Sequence, residues 1–537
     1  MAAAQTRESA VATGMTLAWW ARLIPSTPAV ISSSGSVSFG ELNGRANQLA
    51  RALRHRGLEA GDAVAVLCGN QVEFVETVFA TVRAGLRMTP INRYLTADEV
   101  RYILDDCDAK ALISDGSLAG AAAGALAGAP CCSVWLSVGD AGGAGRSGGS
   151  TPACEDYAQV RDAEDPSDLD DPSAGTTMFY TAGTTGRPKG VFRSAASAAS
   201  MLGLNLFGYR EGGGDVHLCT GPLHHAAPLS FSLAVPISYG ATVVLMERFD
   251  AAETLRLIGR HGVTHTHLVP TMFHRLLSLP APVREAADLS RLRNVLHGAA
   301  PCPVVVKQRI IDWFGPIVWE YYAASEGIGS FVDSETWLAH PGTIGKPFTP
   351  GQMIVGDESC NPLPPDELGL IWLRAAPGGR FEYYKDPGQT QSSYRGDYFT
   401  LGDVGRMDEE GFFYLTDRSA NLIISGGVNI YPAEVDAVLL QHPAIADVAT
   451  IGVPDAEWGE SVLAVVELQP GMAASHELAA ELISFCRSQL ARFKCPRAVD
   501  FVPDLPRQDN GKIYKRLLRD RYRAAADRPL GARRLGG

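Results

Sequence analysis

The chain has 537 residues, which is too long for one hydrophobic core and predicts two or more domains. Apolar residues make up 46% and charged residues 20% of the chain, as in an ordinary globular protein. The formal charge of −12 argues against a nucleic-acid partner or an anionic-membrane partner. No apolar run reaches the roughly 18–20 residues of a membrane span, and the N-terminus lacks the pattern of a signal peptide, so we expect a cytoplasmic protein.

Strands and helices are predicted to alternate along the first two thirds of the chain. Strands are predicted over residues 63–67, 216–220, 241–246, 264–269, 292–297 and 317–321. Helices are predicted over residues 72–84, 250–261 (where Asp250 and Glu253 resemble a capping box) and 304–314. This alternation predicts an α/β fold in which helices cover parallel sheets. In such sheets ligands bind at the carboxyl ends of strands, where the loops after residues 178–180, 292–297 and 317–321 lie.

Composition changes at three further places. Residues 119–151 are rich in glycine, alanine and serine, which predicts part helix and part mobile surface loop. From Gly402 onward strand and turn patterns dominate, with helices predicted over residues 432–440 and 476–490. The tail from Ala524 is predicted to be disordered.

The run TAGTTGRPKG at residues 181–190 is the most informative stretch. Its glycines allow close backbone approach, and its threonine hydroxyls and backbone N–H groups can line an anion site. Lys189 adds a point charge suited to phosphate. The run is not the G-x-x-x-x-G-K-[ST] nucleotide loop, because no Gly-Lys-Ser/Thr occurs in it. Taken alone, such a run is equally typical of a flexible surface loop.

Three further stretches follow in order: YYAASEG at residues 321–327, GDVGR at 402–406 with TDR at 416–418, and GKIYKR at 511–516. Together with the first run they resemble the acyl- and aryl-adenylate-forming superfamily, which includes acyl-CoA ligases, luciferases and peptide-synthetase adenylation domains. The resemblance extends from about Thr16 to about Arg523. It implies a large N-terminal domain of helix-covered sheets (residues 1–418) and a small mobile α+β C-terminal domain (residues 419–537). It also implies that an organic carboxylic acid (a small molecule of open size), ATP and coenzyme A are the substrates, with AMP as a product.

The resemblance implies a nucleotide site assembled from four regions. Glu326 would bind magnesium, a hard ion that prefers carboxylate oxygen. Ser325 would reach the α-phosphate, and Tyr322 would stack on the adenine. The other implied nucleotide-binding residues are Thr181, Gly183, Thr184, Thr185, Gly186 and Lys189 at the β- and γ-phosphates, Gly298, Ala299, Ala300 and Pro301 at the adenine, and Asp403 and Arg418 at the ribose. For Glu326, Asp403 and Arg418 an ordinary surface charge is the alternative.

Lys512 matches the family's C-terminal lysine, which bridges the carboxylate and the α-phosphate during adenylation. A charge placed where negative charge develops contributes on the order of 10²–10³ in rate. The alternative is one more basic residue on a surface helix with the sequence KIYKRLLRDRYR.

The resemblance also implies a second step, in which the acyl group passes to the thiol of coenzyme A, and a second set of residues for that step. Ser425, Gly426 and Gly427 resemble the loop that borders the pantetheine channel. His225 matches a histidine that gates the acyl pocket, with a structural histidine as the alternative, and Ala324 would line that pocket. The surrounding PLHHAAPL contains no aspartate to pair with a substrate ammonium, which disfavours an amino-acid substrate.

Three positions depart from the family pattern. Ala182 replaces a phosphate-loop serine, Ala323 replaces a glycine, and Ala420 stands at the hinge where the family has aspartate or lysine. The favoured interpretation is an acyl-CoA ligase, and a ligase limited to thioesterification of a supplied acyl-adenylate is the first alternative. A binding or scaffold protein on the same fold is the second, and nothing selects a luciferase-type oxygenase. The acid and the oligomeric state stay open.

Overall fold

The computed structural model describes residues 6–141, 151–181, 188–193, 207–376, 379–418, 421–425, 428–455, 458–508 and 511–526. Within these ranges the strands form a 14-stranded sheet and three smaller sheets of six, five and three strands. Helices cover the sheets, so the predicted α/β class is confirmed.

The large sheet has a parallel centre and antiparallel strands beyond it. Five of its six parallel strands come from the stretch in which the sequence alternates between strand and helix, as predicted, and the sixth, Pro28–Ser32, was not predicted. Across the sheet the order is Met353–Gly356, Gly369–Arg374, Tyr398–Met407, Phe413–Arg418, Thr343–Pro347, Gly327–Val332, Val318–Ala324, Asn294–His297, His265–Leu268, Val216–Cys219, Thr242–Leu245, Pro28–Ser32 and Gly35–Ser38, with Tyr394–Arg395 beside Tyr398–Met407.

Three smaller sheets complete the fold. The parallel six-stranded sheet has the order Cys154–Asp156, Val134–Val138, Ala109–Asp115, Ala63–Leu67, Arg87–Pro90 and Thr176–Thr177. The three-stranded sheet has the order Glu382–Tyr383, Lys189–Phe192 and Phe179–Thr181. The five-stranded sheet, in the C-terminal part, has the order Val428–Ile430, Ile423–Ser425, Gly459–Leu468 and Ile445–Asp455, with Ala498–Val502 beside Gly459–Leu468.

Helices connect these strands, and none in the described ranges is both long and apolar enough to cross a bilayer. The α-helices are Arg7–Ala12, Thr16–Leu23, Phe39–His55, Val72–Arg83, Ala97–Asp106, Ala119–Leu126, Tyr157–Asp162, Val235–Ser238, Ala251–His261, Pro270–Leu277, Ala281–Glu285, Val304–Phe314, Ser334–Ala339, Pro387–Ser393, Pro432–Leu439, His476–Gln489 and Lys515–Ala526. A 3₁₀-helix spans Gly116–Leu118 and a π-helix spans Pro228–Ala234.

Local signals predicted several elements closely. The strand Ala63–Leu67 and the helix Val304–Phe314 have the predicted bounds. The Asp250 side chain accepts a hydrogen bond of 2.7 Å from the Glu253 backbone and so begins the helix Ala251–His261 at the predicted residue. The strand predicted over 317–321 extends to Ala324, because its antiparallel neighbour Gly327–Val332 continues the ladder.

Two predictions are wrong. The loop expected within residues 119–151 contains the strand Val134–Val138, which is mostly buried and pairs with Ala109–Asp115 on one side and Cys154–Asp156 on the other. The disorder predicted from Ala524 is wrong for residues 524–526, because the last helix continues to Ala526. Residues 142–150 and 527–537 lie outside the described residues.

The last strand of the large sheet ends at Arg418, and the next strand, Ile423–Ser425, belongs to the five-stranded sheet. The predicted domain boundary after Arg418 falls between these two strands and stays a prediction, as does the mobility of the smaller domain.

Buried histidines lie on neighbouring parallel strands at the centre of the large sheet: His217, His265, His267 and His297. Burial lowers the pKa of each imidazole, to about 4 for His265 and to about 3 for His267. All four are therefore neutral at pH 7.

We expect these histidines to make the protein sensitive to acid. An unfolded histidine titrates near pH 6.5, so stability is lost as the pH falls from 6.5 toward the lower folded-state pKa. The pH of 5.0 lies 1.5 units below the unfolded pKa of about 6.5. At this pH, His265 and His267 should each lower the free energy of unfolding by about 2 kcal/mol.

Urea unfolding at pH 7.5 and at pH 5.0 measures this loss. The His265→Gln variant cannot be protonated at position 265 and should lose about 2 kcal/mol less than the wild type between the two pH values. An equal loss in both proteins would contradict the prediction.

Candidate active site

A cleft of about 1750 Å³ lies between the large sheet, the three-stranded sheet and the C-terminal domain. It brings together residues that the sequence places far apart, from the first motif to the last. The predicted residues that line it are Thr181, Lys189, His225, Ala299, Ala300, Pro301, Tyr322, Ala324, Ser325, Glu326, Asp403 and Lys512.

The phosphate-loop motif begins and ends on paired strands. Thr181, at the end of Phe179–Thr181, is the antiparallel partner of Lys189, the first residue of Lys189–Phe192. The pairing holds both ends of the intervening segment at the cleft. Ala182 and the predicted phosphate-binding residues Gly183, Thr184, Thr185 and Gly186 lie outside the described residues.

Glu326 lies in the turn between the strands Val318–Ala324 and Gly327–Val332. The Tyr383 hydroxyl donates a hydrogen bond of 3.1 Å to its Oε1, and the Lys189 ammonium lies 5.3 Å from the centre of the Tyr383 ring. Burial, followed by the Glu326 charge, raises the pKa of Tyr383, so the phenol keeps its proton. Tyr383 therefore links two predicted residues. Sequence reasoning missed it, because a tyrosine in FEYYKD belongs to no recognised motif.

The carboxylate of Glu326 suits magnesium, which prefers oxygen ligands. Within the described residues, no group of three or more His, Cys, Asp or Glu side chains is placed to hold a metal ion. One carboxylate beside a phosphate-binding motif fits an ion that takes its remaining ligands from phosphate groups and water.

Asp403 lies on the strand Tyr398–Met407 and is only 4% exposed. The Tyr322 hydroxyl donates a hydrogen bond of 2.7 Å to its Oδ2 and so holds the carboxylate at the cleft wall. In the strand ladder Asp403 is paired with Arg418, so the two predicted ribose residues are neighbours along the backbone. The Arg418 side chain is outside the described part of the structure.

The segment at residues 298–301 follows the buried strand Asn294–His297. A Cβ atom on Gly298 would lie 2.6 Å from the Tyr321 carbonyl oxygen and 2.7 Å from the Tyr321 ring, so glycine permits this close approach. Ala299 has a φ of 65°, a left-handed conformation that costs energy for a residue with a side chain and is common at functional sites. This turn directs Ala299, Ala300 and Pro301 along the cleft.

Lys512 enters the cleft from the C-terminal domain. The Gln508 backbone donates a hydrogen bond of 2.8 Å to the Lys512 carbonyl oxygen, which closes a short hairpin. Gly511, with a φ of 84°, brings this hairpin so close to Thr271 that a Cβ atom there would lie 2.5 Å from the threonine oxygen. The final helix begins only at Lys515, so the interpretation of Lys512 as a residue on that surface helix is wrong.

The predicted acyl-pocket histidine precedes the π-helix Pro228–Ala234. The ring of His225 lies 4.6 Å from that of His224, and its carbonyl oxygen accepts a hydrogen bond of 3.1 Å from the Leu229 backbone. π-Helices are rare and are frequent at functional sites. This one, whose residues Pro228–Phe231 and Ala234 line the cleft, was not predicted from the sequence.

Ser425 is the predicted CoA-binding residue that lies within the described ranges. Ser425 ends the strand Ile423–Ser425, pairs with Gly459 in the five-stranded sheet, and is not among the described residues that line the cleft. Gly426, Gly427 and the hinge residue Ala420 lie outside the described ranges.

Comparison with known proteins identifies this architecture. The model of the AMP-binding enzyme family matches residues 17–381, and that of the AMP-binding enzyme C-terminal domain matches residues 434–512. The chain is 32% identical to the feruloyl-CoA synthase of Amycolatopsis sp, over 94% of this chain and 97% of that protein. It is 33% identical to the 2-succinylbenzoate–CoA ligase of Geobacillus kaustophilus, over 93% of this chain and 95% of that protein.

The fold is also shared with a solved structure. The crystal structure of the anthranilate CoA ligase AuaEII with anthranoyl-AMP superimposes with a TM-score of 0.85, over 96% of this chain and 98% of that one, at 24% identity. The chain therefore belongs to the adenylate-forming AMP-binding enzyme family, and it is an ATP-dependent acyl-CoA ligase.

Proposed function

We propose that this one chain carries out both half-reactions, first forming an acyl-adenylate from an organic acid and ATP and then transferring the acyl group to CoA. The observation that carries the proposal is the position of Lys512. This lysine of the small domain lies in the same cleft as Lys189, Glu326 and Asp403 of the large domain. A lysine of the small domain thus shares the cleft with the three large-domain residues that the resemblance assigns to ATP and its magnesium ion.

Each group has a role that suits its chemistry. Lys189 neutralises the β- and γ-phosphates, the Asp403 carboxylate accepts hydrogen bonds from the ribose hydroxyls, and Lys512 bridges the acid carboxylate and the α-phosphate. Magnesium, when bound at Glu326, supplies charge neutralisation on the phosphates. Positioning and charge neutralisation dominate phosphoryl-type transfer, so these fixed charges carry the first half-reaction.

The second half-reaction requires a different arrangement of the small domain. Ser425 does not line the cleft, whereas the resemblance implies a place for it beside the pantetheine of CoA. We propose that the small domain turns about Ala420, removes Lys512 from the cleft and brings Ser425 toward it. The reaction takes place in the cytoplasm, where ATP and CoA are available.

The substrate is proposed to be an aromatic carboxylic acid. The side chains of Phe231 and Tyr321 line the cleft near His225, and their ring centres lie 4.8 Å apart. The name of the feruloyl-CoA synthase relative, which refers to an aromatic acyl group, supports the same class.

Two assays run side by side test the proposal. Acid-dependent ATP–pyrophosphate exchange reports adenylation, and CoA-ester formation from a supplied acyl-adenylate reports thioesterification. Activity in both with aromatic acids is expected. Activity in the second assay alone would favour the thioesterification-only alternative that Ala182 and Ala420 suggest, and activity in neither would contradict the proposal.

A further inference from the structure

The part of the cleft lined by Phe231 of the π-helix, here called the acyl end, has a pair of polar side chains among its aromatic rings. His267, on the strand His265–Leu268, and Tyr321, on Val318–Ala324, both line the cleft and point to the same face of the large sheet. The Tyr321 hydroxyl and His267 Nε2 lie 3.0 Å apart, within hydrogen-bonding distance. Both side chains are almost completely buried.

These two rings form one wall with Phe231 of the π-helix. The Phe231 ring centre lies 4.8 Å from that of Tyr321 and 6.0 Å from that of His267. Small side chains line the cleft nearby and leave room for a flat group: Ala227, Ala234, Ala323 and Ala324. Such a wall suits the face of an aromatic ring, which prefers offset or tilted contacts with other rings.

The polar pair carries no charge at neutral pH. Burial lowers the pKa of His267 to about 3 and raises the pKa of Tyr321, so the imidazole is neutral and the phenol keeps its proton. The pair therefore cannot form an ion pair with a second carboxylate or with an ammonium group of the substrate. It can only form hydrogen bonds.

In either tautomer of His267, one hydrogen-bond donor of the Tyr321–His267 pair has no acceptor within the pair. If the Tyr321 hydroxyl donates to Nε2, the imidazole proton is on Nδ1, which has no hydrogen-bond partner among the described residues. If Nε2–H donates to the Tyr321 oxygen, the phenol proton is unused instead. Once a ligand fills this part of the cleft, a donor left without an acceptor costs free energy, whereas an acceptor on the ligand removes that cost.

We propose that the Tyr321–His267 pair recognises an oxygen substituent on the ring of an aromatic acid. This inference rests on the proposed function, because it assigns the substrate class of the same cleft. A hydroxyl, methoxy or carbonyl oxygen on the ring accepts the unused proton. A plain hydrocarbon ring or a fatty-acyl chain leaves that donor buried and unpaired, so the pair selects against both.

Matched acids test the inference on the wild-type enzyme. Benzoic and cinnamic acids carrying either a hydroxyl or a methyl group at ring position 3 or 4 have nearly the same shape and differ in one hydrogen-bonding oxygen. In ATP–pyrophosphate exchange we expect kcat/KM to favour the hydroxy acid over its methyl partner by about 5- to 150-fold at one or both positions. Equal values for every pair would overturn the inference.

Two variants locate the source of the preference. The double variant Tyr321→Phe/His267→Phe keeps two aromatic rings and removes both hydrogen-bond donors of the pair, so the preference for the hydroxy acids should fall toward 1. Tyr209→Phe is the matched control, because the Tyr209 hydroxyl lies 2.7 Å from Nδ1 of buried His217 in the same aromatic cluster but does not line the cleft. The control should lower stability and keep the preference.

The outcomes separate this inference from the proposed function. Exchange with aromatic acids but no oxygen preference overturns the inference and leaves the ligase proposal intact. Exchange with no acid of the panel overturns both. A preference that survives in the double variant Tyr321→Phe/His267→Phe overturns the assignment to this pair.

Discussion

Replacing Lys512 with alanine is expected to lower the rate of adenylation by about 10²–10³-fold and largely to spare thioester formation from a supplied acyl-adenylate. Lys512 lies in the cleft at the end of a hairpin that touches Thr271 of the large domain. Its charge stabilises the negative charge that develops between the carboxylate and the α-phosphate. Thioester formation uses the other arrangement of the small domain, in which we propose that Lys512 leaves the cleft.

Separate assays of the two half-reactions measure the effect. Arg497→Ala is the control, since Arg497 is a cation of the same domain that pairs with Asp455 at 3.8 Å, and neither residue lines the cleft. It should leave both half-reactions near the wild-type rate. Equal losses in both half-reactions for Lys512→Ala would mean that this lysine serves folding or CoA binding instead.

The second large effect is expected for Asp403→Ala, which should weaken AMP binding by about 10- to 150-fold. Losing a carboxylate that accepts hydrogen bonds from the ribose corresponds to about 1.5–3 kcal/mol, at about 1.4 kcal/mol for each factor of ten. The carboxylate is buried and accepts a hydrogen bond from the Tyr322 hydroxyl, which helps to orient it at the cleft wall.

Titration calorimetry with AMP measures this loss of affinity. Asp408→Ala is a close control, because Asp408 also accepts a hydrogen bond from a tyrosine, Tyr414, at 3.0 Å but does not line the cleft. The control should bind AMP as the wild type does. An unchanged affinity for Asp403→Ala, with the fold intact, would place Asp403 outside the nucleotide site.

Local sequence signals were sufficient for much of the fold. The strand Ala63–Leu67 is an uninterrupted apolar run, and the helix Val304–Phe314 begins after a proline and ends at a glycine. Such signals act between neighbours in sequence, so they can be seen without the tertiary structure. The strand Val134–Val138 was missed because its surroundings are rich in small residues, and only pairing on both sides makes it a strand.

The motifs alone determined the family and the order of the domains, and they predicted which residues would meet ATP. They could not determine which side chains touch one another inside the cleft. Tyr383 reaches Glu326 across 57 positions, and Tyr321 reaches His267 across 54 positions. The strands of Tyr321 and His267 flank Asn294–His297 in a parallel sheet, and that strand order is set by packing the whole chain. Contacts between distant strands leave no periodic or local signal, so only the tertiary structure decided that Tyr321 pairs with His267 and that Ser425 does not line the cleft that holds Lys512.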